Sequence, residues 1–525
     1  MRVQTHLLRD RSARMSTLDV RFVSLTCMQS SQLMRKREIM KSERNNPSWI
    51  NWNTFRSNAK NKASKNKTRS ILFETLEDRT LMAVDSIRVV GGVLSIRSDN
   101  TASDVRVSLV GNRIRVVDSA NSRTWEGAAS SVTKIDFTGG NGVDRFVNAA
   151  GTKPVQANGG GGNDYLVGGS GDDILRGGVG NDTLLGGDGN DQLWGGAGGD
   201  SLNGQTGTDR LYGEAGNDTL VSLDNAFADM VDGGDGADMY WIDATDSGRD
   251  RVAGKEASDA IHAVGRFANG ADRTLNADRI ADPMTTGGYT YRAFENSPLF
   301  SSRGPVMEDV VQGNLNNCYV LAGVASVAAD SPNAIRERMV DFQDGTYGVK
   351  LGDKFYRVDN DLPVASRTTT EPAYAKLGAE KSIWVAIFEK AFAMFRHGAN
   401  SYASIEWGFG KEANAALGAK ADDRAFTSFS SAIKLGAEVL KRFLNKEALT
   451  IGTGNSTNGL PLLTRHEYTV AKVITNSKGV VTEIVLRNPW GRDGAGWDGV
   501  NDGLVRVTPA QLFAIQGRLG WGKVS

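Results

Sequence analysis

Gly159 to Val221 reads in nines: GGGGNDYLV GGSGDDILR GGVGNDTLL GGDGNDQLW GGAGGDSLN GQTGTDRLY GEAGNDTLV. These are seven contiguous copies of G-G-x-G-x-D-x-U-x, in which U is large and apolar. Two outlying copies, GGNGVDRFV at Gly139 and GGDGADMYW at Gly233, keep the same spacing. The glycines permit backbone angles that a side chain forbids, so a tight loop can aim its carbonyls inward. The aspartate at the sixth place adds carboxylate oxygen, the hard ligand that Ca²⁺ prefers. The apolar residue two places on (Leu166, Leu175, Leu184, Leu193, Leu202, Leu211, Leu220) falls on a short strand and points inward. Stacked turns of this kind form a parallel β-roll with a narrow apolar core.

The calcium ligands expected from the pattern are Asp164, Asp173, Asp182, Asp191, Asp200, Asp209 and Asp218, with Asp144 and Asp238 from the outlying copies. Without the cation these aligned carboxylates repel one another. The thin core alone does not offset chain entropy, so the array is expected to unfold. Gln205 and Glu214 replace the second glycine in copies six and seven, which weakens that end. The motif resembles the RTX calcium-binding nonapeptide family, whose members are exported. Before the array, Gly91 to Ser119 alternates apolar and polar residues between turn signals and reads as strands. After it, IDATDSGRDRVAGKEASDAIHAVGRF continues the short-strand style and caps the roll.

Outside the array the chain changes texture twice. Its 525 residues carry no net charge, yet residues 1–70 hold 16 Lys/Arg against 4 Asp/Glu, and residues 139–241 hold 16 acidic against 4 basic. The balance hides differently built segments. The basic leader, rich in Ser and Asn, is expected to be disordered. Charge alone does not make it a nucleic-acid site, and no accompanying motif points to one. ILFETLEDRTLMAV, Ile71 to Val84, resembles the LEPR-xLL segment of exported bacterial surface proteins; one amphipathic turn entering the first strand is the other reading. The sequence has no apolar run long enough to span a membrane. Two distant cysteines, Cys27 and Cys318, make no disulfide framework.

From about Ala293 the composition is that of an ordinary α+β domain. In QGNLNNCYVLAGVASVA, Gln312 to Ala328, polar residues precede an apolar run of helical composition that lasts to Pro332. Asn316 and Asn317 read as helix caps, and Cys318 falls in the first turn, where the helix dipole lowers a thiol pKa. Cys318 is then either a core residue or a nucleophile. A nucleophile needs a base, and the base needs an orienting partner. His466 opens HEYTVAKVITNSKGVVTEIVLRNPWG, two alternating runs about the turn NSKG, hence a β-hairpin. A turn centred near residue 477 pairs His466 with Asn488. His262 reads as a packed strand residue and His397 as a helix-end residue.

The segment around Cys318 resembles the nucleophile motif of calpain (papain-like) cysteine proteases. LRNPWG resembles their asparagine motif, and IWVAIFEKAFAMF, Ile383 to Phe395, the helix packed between them. The likeness covers about residues 297–515. It implies Cys318 as nucleophile, His466 as general base then acid, and Asn488 as its orienter. It also implies Gln312 as oxyanion-hole donor and Trp490 as a shield over the Asn–His bond. Asn316, Asn317 and Tyr319 stand where the family has Gly, Asp and Trp, and Arg465 where it has Gly before the histidine. The family's own calcium site implies Asp309 as a ligand, but Ser382 stands at its second acidic position; a plain capping carboxylate is the other reading of Asp309.

The expected architecture is multidomain: a leader (1–84), an all-β calcium-binding roll with its caps (85–275), and an α+β papain-like, two-lobed protease domain (276–525). The expected activity is a calcium-dependent or calcium-stabilised cysteine endopeptidase acting on protein or peptide substrates, secreted or at a bacterial cell surface. A non-catalytic calcium-binding surface or matrix protein whose protease-like domain holds peptides is the alternative.

Overall fold

In the array each nonapeptide supplies one strand of two facing parallel sheets. The computed structural model describes residues 84–224, 227–244, 249–271, 280–366, 368–493 and 501–524; nearly all of the basic leader and of Ile71 to Val84 lies outside them. Strands Tyr165–Ser170, Thr183–Asp188 and Ser201–Thr206 stack in one sheet, and Ile174–Val179, Gln192–Ala197 and Arg210–Ala215 in the other. Register partners such as Leu166 and Leu184 are two nonapeptides apart, so one turn of the roll takes two copies. The seven leucines at the apolar position are fully buried between the sheets, as the period requires.

The flanks join the same sheets. Val93–Ser98 pairs in parallel with Lys134–Thr138 at one end, and Ala260–Val264 pairs with Met239–Asp243 at the other. Gln205 and Glu214 take φ of 69° and 78°, where the aligned glycines also have positive φ. Both non-glycine residues therefore sit in a region that L-residues enter at a cost.

The following domain has two apolar clusters, one per lobe. The first gathers around helices α1 (Cys318–Asp330) and α2 (Trp384–Phe395), both buried along nearly their whole length. The second lies on a six-stranded antiparallel sheet that contains the hairpin Glu467–Thr475 and Val481–Arg487. A third cluster joins roll to protease domain: Val221, Leu223, Trp241 and Val264 pack against Val340 and Phe342. Asn203 Nδ2 donates to the Phe342 carbonyl at 2.8 Å across the same junction. Buried His262 faces the Glu337 carbonyl and stacks edge-on with Trp241 at 4.8 Å.

Candidate active site

Cys318 is the first residue of α1, half-buried at the lip of the helical lobe. Neither asparagine before it caps the helix through its side chain. Asn317 is buried and donates instead to Oε1 of Glu389 on α2. Glu389 Oε2 in turn accepts from the Ala375 backbone at 2.9 Å. The expected cap is thus a tie between α1 and α2. The expected lowering of the thiol pKa also fails. Burial pushes the Cys318 thiol up to about 11, outweighing hydrogen bonds from the backbone at Glu467, Tyr319 and Cys318 itself. The cost of desolvating a thiolate here exceeds what a helix N-terminus returns.

His466 and Asn488 both lie just beyond the open end of the hairpin ladder, where Thr469 pairs with Arg487. The turn centres one residue later than the sequence spacing suggests, so position 466 is not directly opposite position 488. The two are diagonal neighbours, still within reach of long side chains. His466 Nε2 and Asn488 Oδ1 are 2.9 Å apart. The Trp490 backbone N–H also donates to Asn488 Oδ1, at 3.1 Å. A backbone N–H can only donate, so this atom is the amide oxygen. Nε2 of His466 therefore carries the hydrogen, leaving Nδ1 as the basic nitrogen. The Trp490 ring meets the imidazole edge-on at 5.2 Å. Burial pulls the His466 pKa down to about 4, with the Asn488 bond opposing it.

Cys318 and His466 line the same cleft between the lobes, together with Gln312, Trp490 and Trp407. Gln312 donates from Nε2 to the Leu315 carbonyl at 2.5 Å, while its Oε1 is buried without a partner among the described residues. Trp407, more than half exposed on the cleft, was not legible as a site residue; its backbone donates to the Asn316 carbonyl at 3.1 Å. Asp309 accepts from the Ala379 backbone at 2.9 Å and from Trp384 Nε1 at 3.0 Å, so both of its oxygens serve as structural acceptors. His397 is exposed beyond the end of α2 with φ of 60°.

In the roll, Oδ1 of each array aspartate accepts the backbone N–H of a residue about two nonapeptides earlier, as Asp182 does from Asp164 at 2.7 Å. Oδ2 of Asp164, Asp173, Asp182, Asp191, Asp200, Asp209, Asp218 and Asp238 is buried with no hydrogen-bond partner. These oxygens border gaps shaped by glycine and carbonyl oxygen. A Cβ on Gly177 would fall 2.2 Å from Asp182 Oδ2 and 2.6 Å from the Gly195 carbonyl. Burial raises the carboxyl pKa of Asp173 to about 7 and of Asp191 to about 8. Buried carboxylate and carbonyl oxygens without donors are the environment that a bound Ca²⁺ neutralises.

Asp144 departs from the pattern. Its Oδ1 accepts from Ser103 N and Oγ at 2.8 and 2.7 Å and its Oδ2 from Gly140 at 3.0 Å, so it lacks the orphaned oxygen of the array. Asp238 has the orphan, but the Tyr240 hydroxyl crowds the same glycine. Asp229 repeats the array geometry and was missed. Two extra residues break the nine-residue count before it, although Asp229 and Val231 keep the D-x-U signal.

Fold and site together define a two-lobed cysteine-protease domain mounted on a calcium-binding β-roll. Residues 291–501 match the calpain family cysteine protease, and residues 158–193 and 194–225 match the RTX calcium-binding nonapeptide repeat. The chain thus carries a calpain-family protease domain after RTX repeats. A search of curated proteins finds no match to it. Among the described residues no helix is long and apolar enough to cross a membrane.

Proposed function

We propose that the protein is a cysteine endopeptidase in which Cys318 attacks the scissile carbonyl and His466 Nδ1 takes the thiol proton. The His466–Asn488 hydrogen bond, beside a half-buried cysteine on the opposite lobe, is the observation that carries this reading. With the thiol near 11 and the imidazole near 4, both groups are neutral at pH 7. Proton transfer then accompanies attack instead of preceding it. The imidazolium returns the proton to the leaving amine as the thioester forms. Water, deprotonated by the same nitrogen, releases the acid and restores the thiol. The Cys318 backbone N–H and the second N–H of Gln312 are the donors suited to the oxyanion. Trp490 keeps water from the Asn–His bond.

Asp164, Asp173, Asp182, Asp191, Asp200, Asp209 and Asp218 are the residues suited to hold Ca²⁺, whose charge would neutralise their buried oxygens. Secretion follows from the same logic: low cytosolic calcium keeps the array unfolded until export. The domain division at residues 84 and 275 and a cell-surface location belong to this reading. The second reading, a calcium-binding surface protein whose protease-like domain holds peptides, draws on the neutral thiol and on Gln312 turned to Leu315.

Active-site labelling separates them. A peptidyl epoxide incubated with the calcium-loaded protein should modify Cys318, mapped by mass spectrometry, and His466→Ala should slow the reaction by about 10²–10⁴-fold. Equal labelling of wild type and His466→Ala would favour the non-catalytic reading.

A further inference from the structure

The cleft around Cys318 has two halves of unlike charge. In the half formed by Tyr319, Gly410, Glu412, Asp423, Glu467 and Arg518, Glu412 and Asp423 are already paired. Arg396 pairs with Glu412 at 3.0 Å, and Asp423 pairs with both Lys411 and Arg518. The other half, a cavity of about 630 Å³, is lined beside Cys318 and His466 by Gln312, Lys376, Arg465, Trp490 and Arg492. Among the described residues it holds three cations and no carboxylate.

Among the described residues, the side-chain hydrogen bonds of two of these cations go to neutral groups. Arg465 Nε donates to Asn455 Oδ1 at 2.7 Å, and Lys376 Nζ to the Pro372 carbonyl at 2.5 Å. Lys376 also acts on the Glu389 carboxyl, which is buried behind the wall and carries a pKa raised to about 7. Arg465 and Arg492 are exposed. Arg465 directly precedes His466 with φ of 51°, a backbone region that suits glycine. An arginine held there against its backbone preference lines both halves of the cleft at the mouth of the site.

We propose that this half of the cleft selects substrates bearing Asp or Glu close to the scissile bond, on the side that passes Gln312 and Trp490. The inference rests on the peptidase reading and names its substrate class. An extended peptide advances about 3.3 Å per residue, so the residues that pass this lining are those within a few positions of the scissile bond. A guanidinium in the cleft offers paired N–H donors to one carboxylate, with Arg492 and Lys376 adding to the field.

The test uses paired fluorescent peptides identical except for Glu or Gln flanking the cleaved bond, with the full chain in calcium. Binding to Cys318→Ala is read by anisotropy and cleavage by wild type. The Glu peptide should bind tighter by about fivefold, the upper worth of one exposed ion pair. That advantage should shrink at about 0.5 M salt, fall toward one in Arg465→Gln/Arg492→Gln, and reverse in Arg465→Glu. Equal binding of the two peptides, or a preference untouched by these substitutions, overturns the proposal. Equal cleavage of both by wild type overturns it too and leaves the peptidase standing. Charge-selective binding without cleavage of either peptide supports the cationic site and rejects the peptidase.

Discussion

Cys318 and His466 are both held neutral by burial, and this sets the pH behaviour of the site. The imidazole stays unprotonated above about pH 4 and the thiol stays protonated below about pH 11. Alkylation of Cys318 by iodoacetamide in the free protein should therefore rise steadily with pH across the neutral range, in proportion to thiolate. A flat, fast rate from mildly acidic to neutral pH would mean a preformed thiolate–imidazolium pair and contradict this. Gln312 bears on the same chemistry from the other side of the cleft. Gln312→Ala should lower kcat by about 10²–10³-fold with little change in KM, the signature of a lost oxyanion donor. The buried Glu389 ties Asn317 to the Ala375 backbone, so Asn317→Ala acts on the placement of α1 and should cost stability before it costs chemistry.

At the scale of elements the roll is the part whose stability depends most on solution conditions. Its aspartates carry pKa values raised by burial, about 7 for Asp173, Asp209 and Asp218. In the unfolded chain they titrate near 4. Between those values the folded state binds more protons, so stability of the calcium-free roll is greatest at or below about pH 4 and is lost as pH rises through about 7. Circular dichroism in chelator should show β-structure gained on acidification; a signal that instead weakens as pH falls would contradict the burial of these carboxylates. Leu193→Ala, in the narrow core, should cost about 2–5 kcal/mol even with calcium present. The roll was legible because its period is strict: every seventh-plus-one apolar position and every aspartate recurs at nine. Asp229 escaped that reading because an insertion breaks the count. The hairpin was legible as a hairpin, yet its register was off by two at the open end, because the turn centres one residue later than NSKG suggests; the ladder irregularities between Val470 and Lys472 and between Ile474 and Thr475 cancel each other. The failed cap at Asn317 has another origin, because its partner Glu389 is distant in sequence.

For the whole molecule, the junction makes calcium in the roll relevant to the protease domain. Trp241 is fully buried against Phe342, 5.9 Å between ring centres, and Asn203 bonds across the same seam. Nothing in the nonapeptide pattern announced this, because the contacts join residues more than a hundred positions apart. Loss of the roll's fold strips one face of the helical lobe, so chelation should lower the melting temperature of the protease domain. Trp241→Ala should reduce that calcium-dependent shift, and an unchanged shift in the variant would show the two parts to be energetically separate. The central claim, hydrolysis through Cys318, is tested most directly by cleavage of an unfolded protein substrate by wild type and Cys318→Ala at equal concentration, in calcium and in chelator. Calcium-loaded wild type should cleave the substrate, chelator should cause a marked drop, and Cys318→Ala should cleave nothing in either. Equal cleavage by Cys318→Ala, or a wild type that cleaves nothing while folded and calcium-loaded, would contradict it.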